Sequence, residues 1–395
     1  MGRRIFFGLS GGMGPVLRTL PIANLFSQTG DTVAFSIYDD NAAHTVRSRG
    51  YEHLPDDDPT MPDATRLVPR RPQFYHLDHY FAQIGLLDEK FVRSWIDHRI
   101  GMLQSFQADL VYADMSPHTV IAARYLGIPV VSITQSCFVP IGKQLHYWGD
   151  PPRNTPKVTP IINRVLTELG LPRIDRMEQL NEGDVTLIPG IPELDPVCGD
   201  RVYHIGPIEE TVISNPSHPP SEPYILAYAG RLQDTSGGSG DRFVLWLAEA
   251  FRDKAERVLL AFGGDMDDTL KRSLPPSIQV VPSYSAEWLA NCQLFIHHGG
   301  HGSCLSSIMA GVPSLIVPTH TEREFNARQM AELGLSEYML PDTFLPENLY
   351  RLAKHVIEDE YRSRVIRLRD EIYRRNYRGA QEAHNLGRGL QMQKL

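Results

Sequence analysis

The fold is decided by residues 294–334, which read LFIHHGGHGSCLSSIMAGVPSLIVPTHTEREFNARQMAELG. In chain order the pattern predicts a strand over 294–297, a glycine-rich turn over 298–302, a helix over 303–310, a strand over 314–317 and, after a polar loop over 318–323, a helix that ends near 333. A strand, a helix and a second strand at this spacing predict two parallel strands joined by a crossover helix.

The glycine-rich turn is suited to binding an anion. Glycine lets the backbone approach a ligand closely. The first N–H groups of the helix that follows have no partner within the helix and lie at the positive end of its dipole, so they bind phosphate well. Ser303 can cap this helix or donate to a phosphate oxygen, and His298 can donate to another. The alternative is a tight packing turn whose histidines bond within the protein.

The whole stretch closely resembles the nucleotide-sugar signature of GT-B glycosyltransferases of family 1, which includes the bacterial antibiotic and macrolide glycosyltransferases, and of the related family 28. In that family His-Gly-Gly-x-Gly-Ser/Thr holds the donor diphosphate, and an acidic residue followed by Gln, ahead of x-x-Asn-Ala, reads the sugar hydroxyls. The matching residues here are His298-Gly299-Gly300-His301-Gly302-Ser303 and Glu322-Arg323-Glu324-Phe325-Asn326-Ala327.

The resemblance implies an α/β fold with two Rossmann-like doubly wound domains facing across a cleft. Residues 1–205 are then the acceptor-binding domain, 206–373 the nucleotide-sugar-binding domain, and 374–395 a helix that packs back on the first domain. The length of 395 residues also indicates two domains.

Composition restricts the class of protein. Hydrophobic residues make up 42% and charged residues 22% of the chain, as in ordinary soluble proteins. A net charge of −8 argues against a general nucleic-acid binder. The four cysteines are scattered, which favours reduced thiols and a cytoplasmic location. No signal peptide or transmembrane run is visible, and peripheral membrane contact stays open.

The start of the chain carries the largest departure from the family. Residues 3–9 predict a buried strand, 10–14 a glycine-rich turn and 16–27 a helix, so this turn lies where doubly wound folds bind ligands. Family members have Gly-His-Val-x-Pro-x-x-x-Leu-Ala here, which aligns with residues 14–23. The family's catalytic histidine therefore falls on Pro15, which cannot accept a proton.

Three explanations of the missing base compete. Asp114 stands where the family's aspartate is expected, at the end of a strand, and His118 follows it. Either residue can act directly as the base, a role worth roughly 10²–10⁴-fold in rate. Alternatively the acceptor is already ionised or a good nucleophile, such as a carboxylate, phosphate or amine. The third explanation is binding of the nucleotide sugar without turnover. We favour an active transferase with a different base.

The donor site combines the signature with other strand ends. The predicted donor-binding residues are Arg231, Val281, His298, Gly299, Gly300, Gly302, Ser303, Cys304, Glu322 and Arg323. Arg323 replaces the family's Gln and cannot accept hydrogen bonds, so it favours a donor sugar with a carboxylate or a contact with phosphate. His297 and His298 point to opposite faces of their strand, which argues against a metal site between them. The role of His301 stays open.

Aromatic segments predict the acceptor pocket. Met13, Phe74, Tyr80, Phe138 and Trp148 are the predicted acceptor-binding residues, with packing in the core as the alternative. The function predicted is a metal-independent, inverting hexosyltransferase that moves a sugar from a UDP- or dTDP-sugar co-substrate, without other cofactors, to a natural-product or lipid-like acceptor. The alternatives are a non-catalytic nucleotide-sugar-binding partner of another transferase and a GT-B-fold nucleotide-sugar epimerase.

Overall fold

Two parallel β-sheets organise the chain, each with helices on both faces. The computed structural model describes residues 2–55, 73–145, 153–208, 219–229, 239–262, 266–340, 343–358 and 360–390. Within these residues the first sheet has seven strands and the second has six. No helix in the described ranges is both long and apolar enough to cross a membrane.

The first sheet has the strand order β3-β2-β1-β4-β5-β6-β7. Its strands are β1 (Arg4–Leu9), β2 (Thr32–Ser36), β3 (Glu52–His53), β4 (Leu110–Asp114), β5 (Val130–Ile133), β6 (Val185–Ile188) and β7 (Val202–His204). Its helices are α1 (Met13–Gln28), α2 (Asp40–Ser48), α3 (Leu77–Gln83), α4 (Glu89–Phe106), α5 (Pro117–Tyr125) and α6 (Thr159–Glu168), with 3-10 turns over Ser136–Phe138 and Met177–Asn181. The order reverses between β1 and β4, which opens a crevice at the carboxyl ends of these strands.

The second sheet has the order β10-β9-β8-β11-β12-β13. Its strands are β8 (Ile225–Tyr228), β9 (Val258–Ala261), β10 (Ile278–Val281), β11 (Leu294–His297), β12 (Ser314–Ile316) and β13 (Ser336–Tyr338). The remaining helices are α7 (Ser239–Ala250), α8 (Asp268–Arg272), α9 (Ala286–Asn291), α10 (His301–Ala310), α11 (Thr321–Glu332), α12 (Pro346–Glu358), α13 (Tyr361–Arg375) and α14 (Ala380–Gly389). We call the two sheets with their helices the first and second units.

The central strands are apolar on both faces because helices cover both. In β1 the side chains of Ile5, Phe6 and Phe7 are all fully buried although they alternate between faces. The described pairings between strands in both sheets are parallel, and β11 pairs with β12 as the crossover pattern predicts. The predicted pair of doubly wound α/β units is therefore confirmed.

Two local boundaries differ from the prediction. Helix α10 begins at His301, two residues early, because Gly300 is its N-cap in extended geometry. Helix α11 begins at Thr321, so Glu322 lies in a first helical turn and not in a loop.

The last helix returns to the first unit. The Tyr112 hydroxyl at the centre of the first sheet donates to the carbonyl of Ala383 in α14 at 2.8 Å. The Phe26 ring of α1 lies 4.5 Å from the ring of His384. At the crossing a side chain on Gly206 would lie 2.3 Å from Cβ of Tyr377, so this position needs glycine. Helix α14 therefore packs against β4 and α1 of the first unit.

Candidate functional site

The two units meet at the carboxyl ends of their sheets. The Gln135 side chain, after β5, donates to Oε1 of Glu322 in α11 at 2.9 Å. The backbone N–H of Phe74 donates to Oγ1 of Thr321 at 2.9 Å. These contacts join the first unit to the start of α11, so the glycine-rich turn beside α11 lies at the cleft between the units.

The glycine-rich turn is fixed by close packing and by Asn326. Gly299 has φ +86°, and a side chain there would lie 2.8 Å from the carbonyl oxygen of Arg323. The Asn326 amide donates to the Gly299 carbonyl at 2.9 Å and to Glu322 Oε1 at 2.8 Å. At Gly302, in contrast, a Cβ atom would have no neighbour within 4 Å. The turn is therefore rigid at Gly299 and open at the helix start.

The first turn of α10 offers backbone donors to an anion. It follows the Gly300 N-cap, which has no side-chain cap bond, so the leading N–H groups of His301, Gly302 and Ser303 need partners from outside the helix. Cys304 differs, because its N–H donates to the Gly300 carbonyl at 3.0 Å and its side chain is fully buried. This corrects the prediction that Cys304 contacts the donor.

The two adjacent histidines have different surroundings. The His297 ring stacks on Phe295 with centroids 4.6 Å apart, and its Nδ1 accepts the Gly299 N–H at 3.1 Å. Burial lowers the pKa of His297 to about 3. His298 lies edge-on to the Tyr228 ring at 5.5 Å. Burial and then the charge of Arg323 hold the pKa of His298 well below its usual value, so the ring is a neutral donor at pH 7.

Aromatic rings that the sequence analysis missed line the second unit beside His298. Tyr228 ends β8, and Tyr284 follows β10 with its ring 5.4 Å from Tyr228. Val281, predicted to meet the nucleotide base, is buried, and its carbonyl accepts the Phe262 N–H at 3.0 Å. Because Tyr228 and Tyr284 lie at or just past strand ends, their position at the carboxyl edge of a parallel sheet is the signal that would have found them.

A carboxylate, Glu322, and a guanidinium, Arg323, lie at the start of α11 in the cleft. Glu322 accepts from Gln135 and Asn326 through Oε1 and lies 3.8 Å from His320 Nε2 through Oε2. The Arg323 guanidinium donates to the Thr319 hydroxyl. In this structure a first-unit side chain therefore occupies one of the oxygens with which Glu322 would hold a sugar hydroxyl.

A buried pair also joins the glycine-rich turn to the first unit. Nε2 of His301 lies 2.7 Å from Oδ2 of Asp195, in the connector after β6. The other oxygen of Asp195 accepts the Ser136 N–H at 3.1 Å. Burial raises the pKa of Asp195, but the charge and hydrogen bond of His301 outweigh it and hold that pKa below its usual value. His301 thus has a positioning role between the units.

Asp114 is paired with Arg18, which sequence reasoning missed. Nε and Nη2 of Arg18 donate to the two carboxylate oxygens of Asp114 at 2.5 and 2.7 Å. Arg18 lies one turn after Pro15 on α1, and Leu9 of β1 is in register with Asp114 of β4, so the two side chains converge at the edge of the sheet. Asp114 therefore has a charged partner although Pro15 stands where the family has its histidine.

Arg18 is charged and close to the cleft. Burial lowers its pKa, but the charge of Asp114, the hydrogen bond to it and the charges of Glu322 and Asp195 together raise the pKa of Arg18 above its usual value. Glu322 belongs to the second unit, so Arg18 lies within electrostatic range of the predicted sugar-binding side. A guanidinium this hard to deprotonate cannot act as a base.

His118 is enclosed in the first unit. Its ring stacks on Trp95 with centroids 3.8 Å apart. Its Nε2 is 3.1 Å from the Tyr38 hydroxyl, and its Nδ1 is 3.3 Å from the Ser116 hydroxyl. Burial and the charge of Arg99 hold the pKa of His118 well below its usual value. With both nitrogens engaged, His118 is not placed to deprotonate an acceptor, which corrects its predicted role.

The predicted acceptor residues divide between cleft and core. Phe74 lies at the junction of the units with its ring 6.2 Å from His320 and 5.3 Å from Tyr80. Phe138 is buried in the first core and does not line an open cleft. Met13 is half-buried, and its sulfur accepts from the Thr45 hydroxyl of α2 at 3.7 Å. The predictions for Trp148 and Arg231 lie outside the described residues.

Comparisons with known proteins identify the fold. Residues 247–377 match the family "Erythromycin biosynthesis protein CIII-like, C-terminal domain". The calicheamicin glycosyltransferase CalG4 superposes with a TM-score of 0.72 at 22% identity over 97% of each chain. Glycosyltransferase VinC in complex with dTDP superposes at 0.66 with 15% identity, over 97% of this chain and all of VinC. The fold is therefore the GT-B fold.

Sequence relatives agree over part of the chain. The elloramycin glycosyltransferase of Streptomyces olivaceus is 34% identical over 152 residues, which are 36% of this chain and 39% of the relative. The matches to the next two relatives cover 28% and 36% of those proteins. The resemblance recognised in the sequence is confirmed: residues 247–377 match the EryCIII-like C-terminal domain, and the fold is the GT-B fold.

Proposed function

We propose that this protein is an inverting glycosyltransferase that moves a sugar from a UDP- or dTDP-sugar to a small natural-product or lipid-like acceptor. The observation that carries the proposal is the rigid turn at Gly299, locked by Asn326, which aims the open N-terminus of α10 into the cleft. The similarity of residues 247–377 to the erythromycin-biosynthesis domain supports the same class of chemistry.

The second unit holds the donor in this proposal. The diphosphate takes the leading N–H groups of α10, where the helix dipole stabilises the negative charge that develops on the leaving group. The neutral His298 donates a further hydrogen bond without a metal ion. Tyr228 and Tyr284 offer ring faces or edges to the nucleoside. Glu322 accepts hydrogen bonds from sugar hydroxyls after Gln135 releases its Oε1.

The first unit holds the acceptor in this proposal. Residues 1–205 form the acceptor domain, 206–373 the donor domain, and 374–395 the returning C-terminal segment. An acceptor at the edge near Phe74 lies across the cleft from α10, so it approaches the sugar from the side opposite the leaving diphosphate, which inverts the anomeric centre. The cysteines are free thiols, consistent with a reducing compartment, and we place the activity in the cytoplasm.

The test measures nucleotide release from UDP- and dTDP-sugars with and without a panel of natural-product acceptors. A transferase releases nucleotide and forms a glycoside only when an acceptor is present. Release without acceptor and return of an epimerised sugar would establish the epimerase instead. Donor binding without any turnover would establish the non-catalytic partner.

The control separates the donor site from the fold. His298→Ala removes a donor at the turn, and we expect donor binding to weaken by about 10-fold or more, the equivalent of roughly 1.5 kcal/mol. Ser306→Ala changes an exposed residue of the same helix and is expected to leave binding within about twofold.

A further inference from the structure

Neither of the two bases predicted from the sequence is accessible to an acceptor hydroxyl. Asp114 is fully buried, and both of its oxygens accept hydrogen bonds from Arg18. His118 is buried between Trp95 and its two hydrogen-bond partners. A hydroxyl acceptor needs such a base for efficient transfer, whereas an acceptor that is already ionised does not.

Asp114 uses only part of the hydrogen-bond donors of the Arg18 guanidinium. A guanidinium has five N–H donors, and Asp114 takes one from Nε and one from Nη2. In the described residues its hydrogen bonds go to Asp114 alone. The second edge of the fork, formed by Nη1 and the remaining N–H of Nη2, has the spacing that matches a second carboxylate. The Arg18 side chain is 19% exposed, so this edge is not sealed in the core.

The acidic groups around Arg18 already have partners. Asp195 is paired with His301, and Glu322 accepts from Gln135 and Asn326. Asp114 balances the single positive charge of Arg18, but in the described residues it leaves the N–H donors on the second edge of the guanidinium without a partner. That edge is therefore a position near the proposed sugar site where an incoming anion finds planar, paired donors.

We propose that Arg18 binds the carboxylate of an acid acceptor and that the product is a glycosyl ester. This inference rests on the proposed function and names the acceptor class for it. Arg18 is a binding residue in this account, and Asp114 is a positioning residue that holds the guanidinium.

The reaction balances without a base. One carboxylate oxygen of the acceptor forms a bond to the anomeric carbon, and the bond from that carbon to the diphosphate oxygen breaks. Its electron pair leaves with the nucleoside diphosphate, which α10 stabilises. No proton is transferred, because a carboxyl with an ordinary pKa of about 4.3 is ionised at neutral pH.

The experiment compares acids with their matched alcohols in the full-length protein. The pairs are benzoic acid with benzyl alcohol, cinnamic acid with cinnamyl alcohol, and 2-naphthoic acid with 2-naphthylmethanol, each with the nucleotide sugar that binds most tightly. We expect transfer to acids only, products that hydroxylamine cleaves, and a rate that is flat between about pH 6 and 9 because no base titrates.

Two variants test the residues. Arg18→Lys keeps the charge but loses the fork, so we expect the acceptor KM to rise about 10-fold or more while dTDP affinity changes less than about twofold. Asp114→Asn keeps an oxygen for Arg18, so we expect transfer to acids to fall less than about 10-fold. Loss of a general base would instead lower it by roughly 10²–10⁴-fold.

Several outcomes would overturn the inference. Comparable transfer to the alcohols, or donor binding with no transfer to any acid, rejects a carboxylate acceptor and leaves the donor site standing. A loss of dTDP affinity in Arg18→Lys assigns the free edge to the donor diphosphate. Absence of any nucleotide-sugar binding in the wild-type protein rejects the proposed function itself, and the inference with it.

Discussion

Replacing Asp195 by asparagine tests the buried pair that joins the two units. The side chains of Asp195 and His301 are 1% and 4% exposed. Asparagine keeps an oxygen for the Ser136 N–H but leaves His301 without its charged partner. Breaking a buried pair by removing one partner costs about 3–5 kcal/mol. Because one hydrogen bond survives, we expect the free energy of unfolding to fall by about 3 kcal/mol at pH 7, the lower end of that range.

The loss of unfolding free energy in Asp195→Asn should become smaller at low pH. The pKa of Asp195 is lowered in the folded protein, since His301 and Ser136 outweigh the effect of burial. Such a carboxyl stabilises the fold above its unfolded pKa of about 3.9, and this contribution is lost as the pH falls through the lowered pKa of the folded state. The difference between wild type and Asp195→Asn is therefore expected to shrink as the pH falls below about 4.

The assay is a double-mutant cycle of urea unfolding with Asp195→Asn, His301→Gln and the double variant. Paired amides can bond to each other, so we expect a coupling energy of about 1–3 kcal/mol. Hydrogen exchange of the peptide that contains Ser136 gives a local measure, because its N–H donates to Asp195. If the losses of unfolding free energy in the two single variants simply add up in the double variant, and hydrogen exchange at Ser136 is unchanged, the pair does not fix the glycine-rich turn to the first unit.

Three further predictions concern single residues. Between about pH 6.5 and about 3 the unfolded chain binds a proton at His297 that the folded protein does not bind, so this residue lowers the free energy of unfolding by roughly 1.4 kcal/mol per pH unit as the pH falls. His297→Asn should remove this decrease. Equal slopes of unfolding free energy against pH in wild type and variant would contradict this. Gly299→Ala should lower the free energy of unfolding by about 2 kcal/mol or more and weaken dTDP binding. Gly302→Ala should weaken dTDP binding without loss of thermal stability, because a Cβ atom there has no close neighbour. Equal melting temperatures of the two variants would contradict the packing argument. Tyr112→Phe should cost about 1 kcal/mol and speed hydrogen exchange in α14, and unchanged exchange there would count against the anchor.

The elements around the signature were predictable from local sequence. The limits of β11 agree with the predicted strand, because a short apolar run between a polar residue and a glycine-rich turn defines it. The N-terminus of α10 was misplaced by two residues, since Gly300 and not Ser303 precedes the helix. Helix ends depend on capping geometry that a pattern of apolar residues does not determine.

The partner of Asp114 was not predictable in the same way. Arg18 and Asp114 are 96 residues apart, and their contact depends on the register of β1 against β4. Family comparison pointed at Pro15, and the residue that replaces the histidine's contact lies one helical turn later. Only the three-dimensional register shows that a side chain at this position reaches the same carboxylate.

His118 was misjudged because strand-end position does not report what covers a side chain. It follows β4 at the cleft edge, as an active-site base would. Trp95, from a helix whose packing the sequence did not specify, stacks on the ring and encloses it. Tyr228 and Tyr284 illustrate the converse, since neither is among the predicted donor-binding residues although Tyr228 lies against His298 and Tyr284 against Tyr228.

Calorimetric titration of dTDP and UDP into wild-type, His298→Ala and Ser306→Ala protein tests the central claim most directly. The claim is that the glycine-rich turn and the start of α10 bind a nucleoside diphosphate. We predict binding of at least one nucleotide, weakened about 10-fold or more in His298→Ala and unchanged within about twofold in Ser306→Ala. No binding to the wild-type protein, or equal binding by all three proteins, would contradict the account.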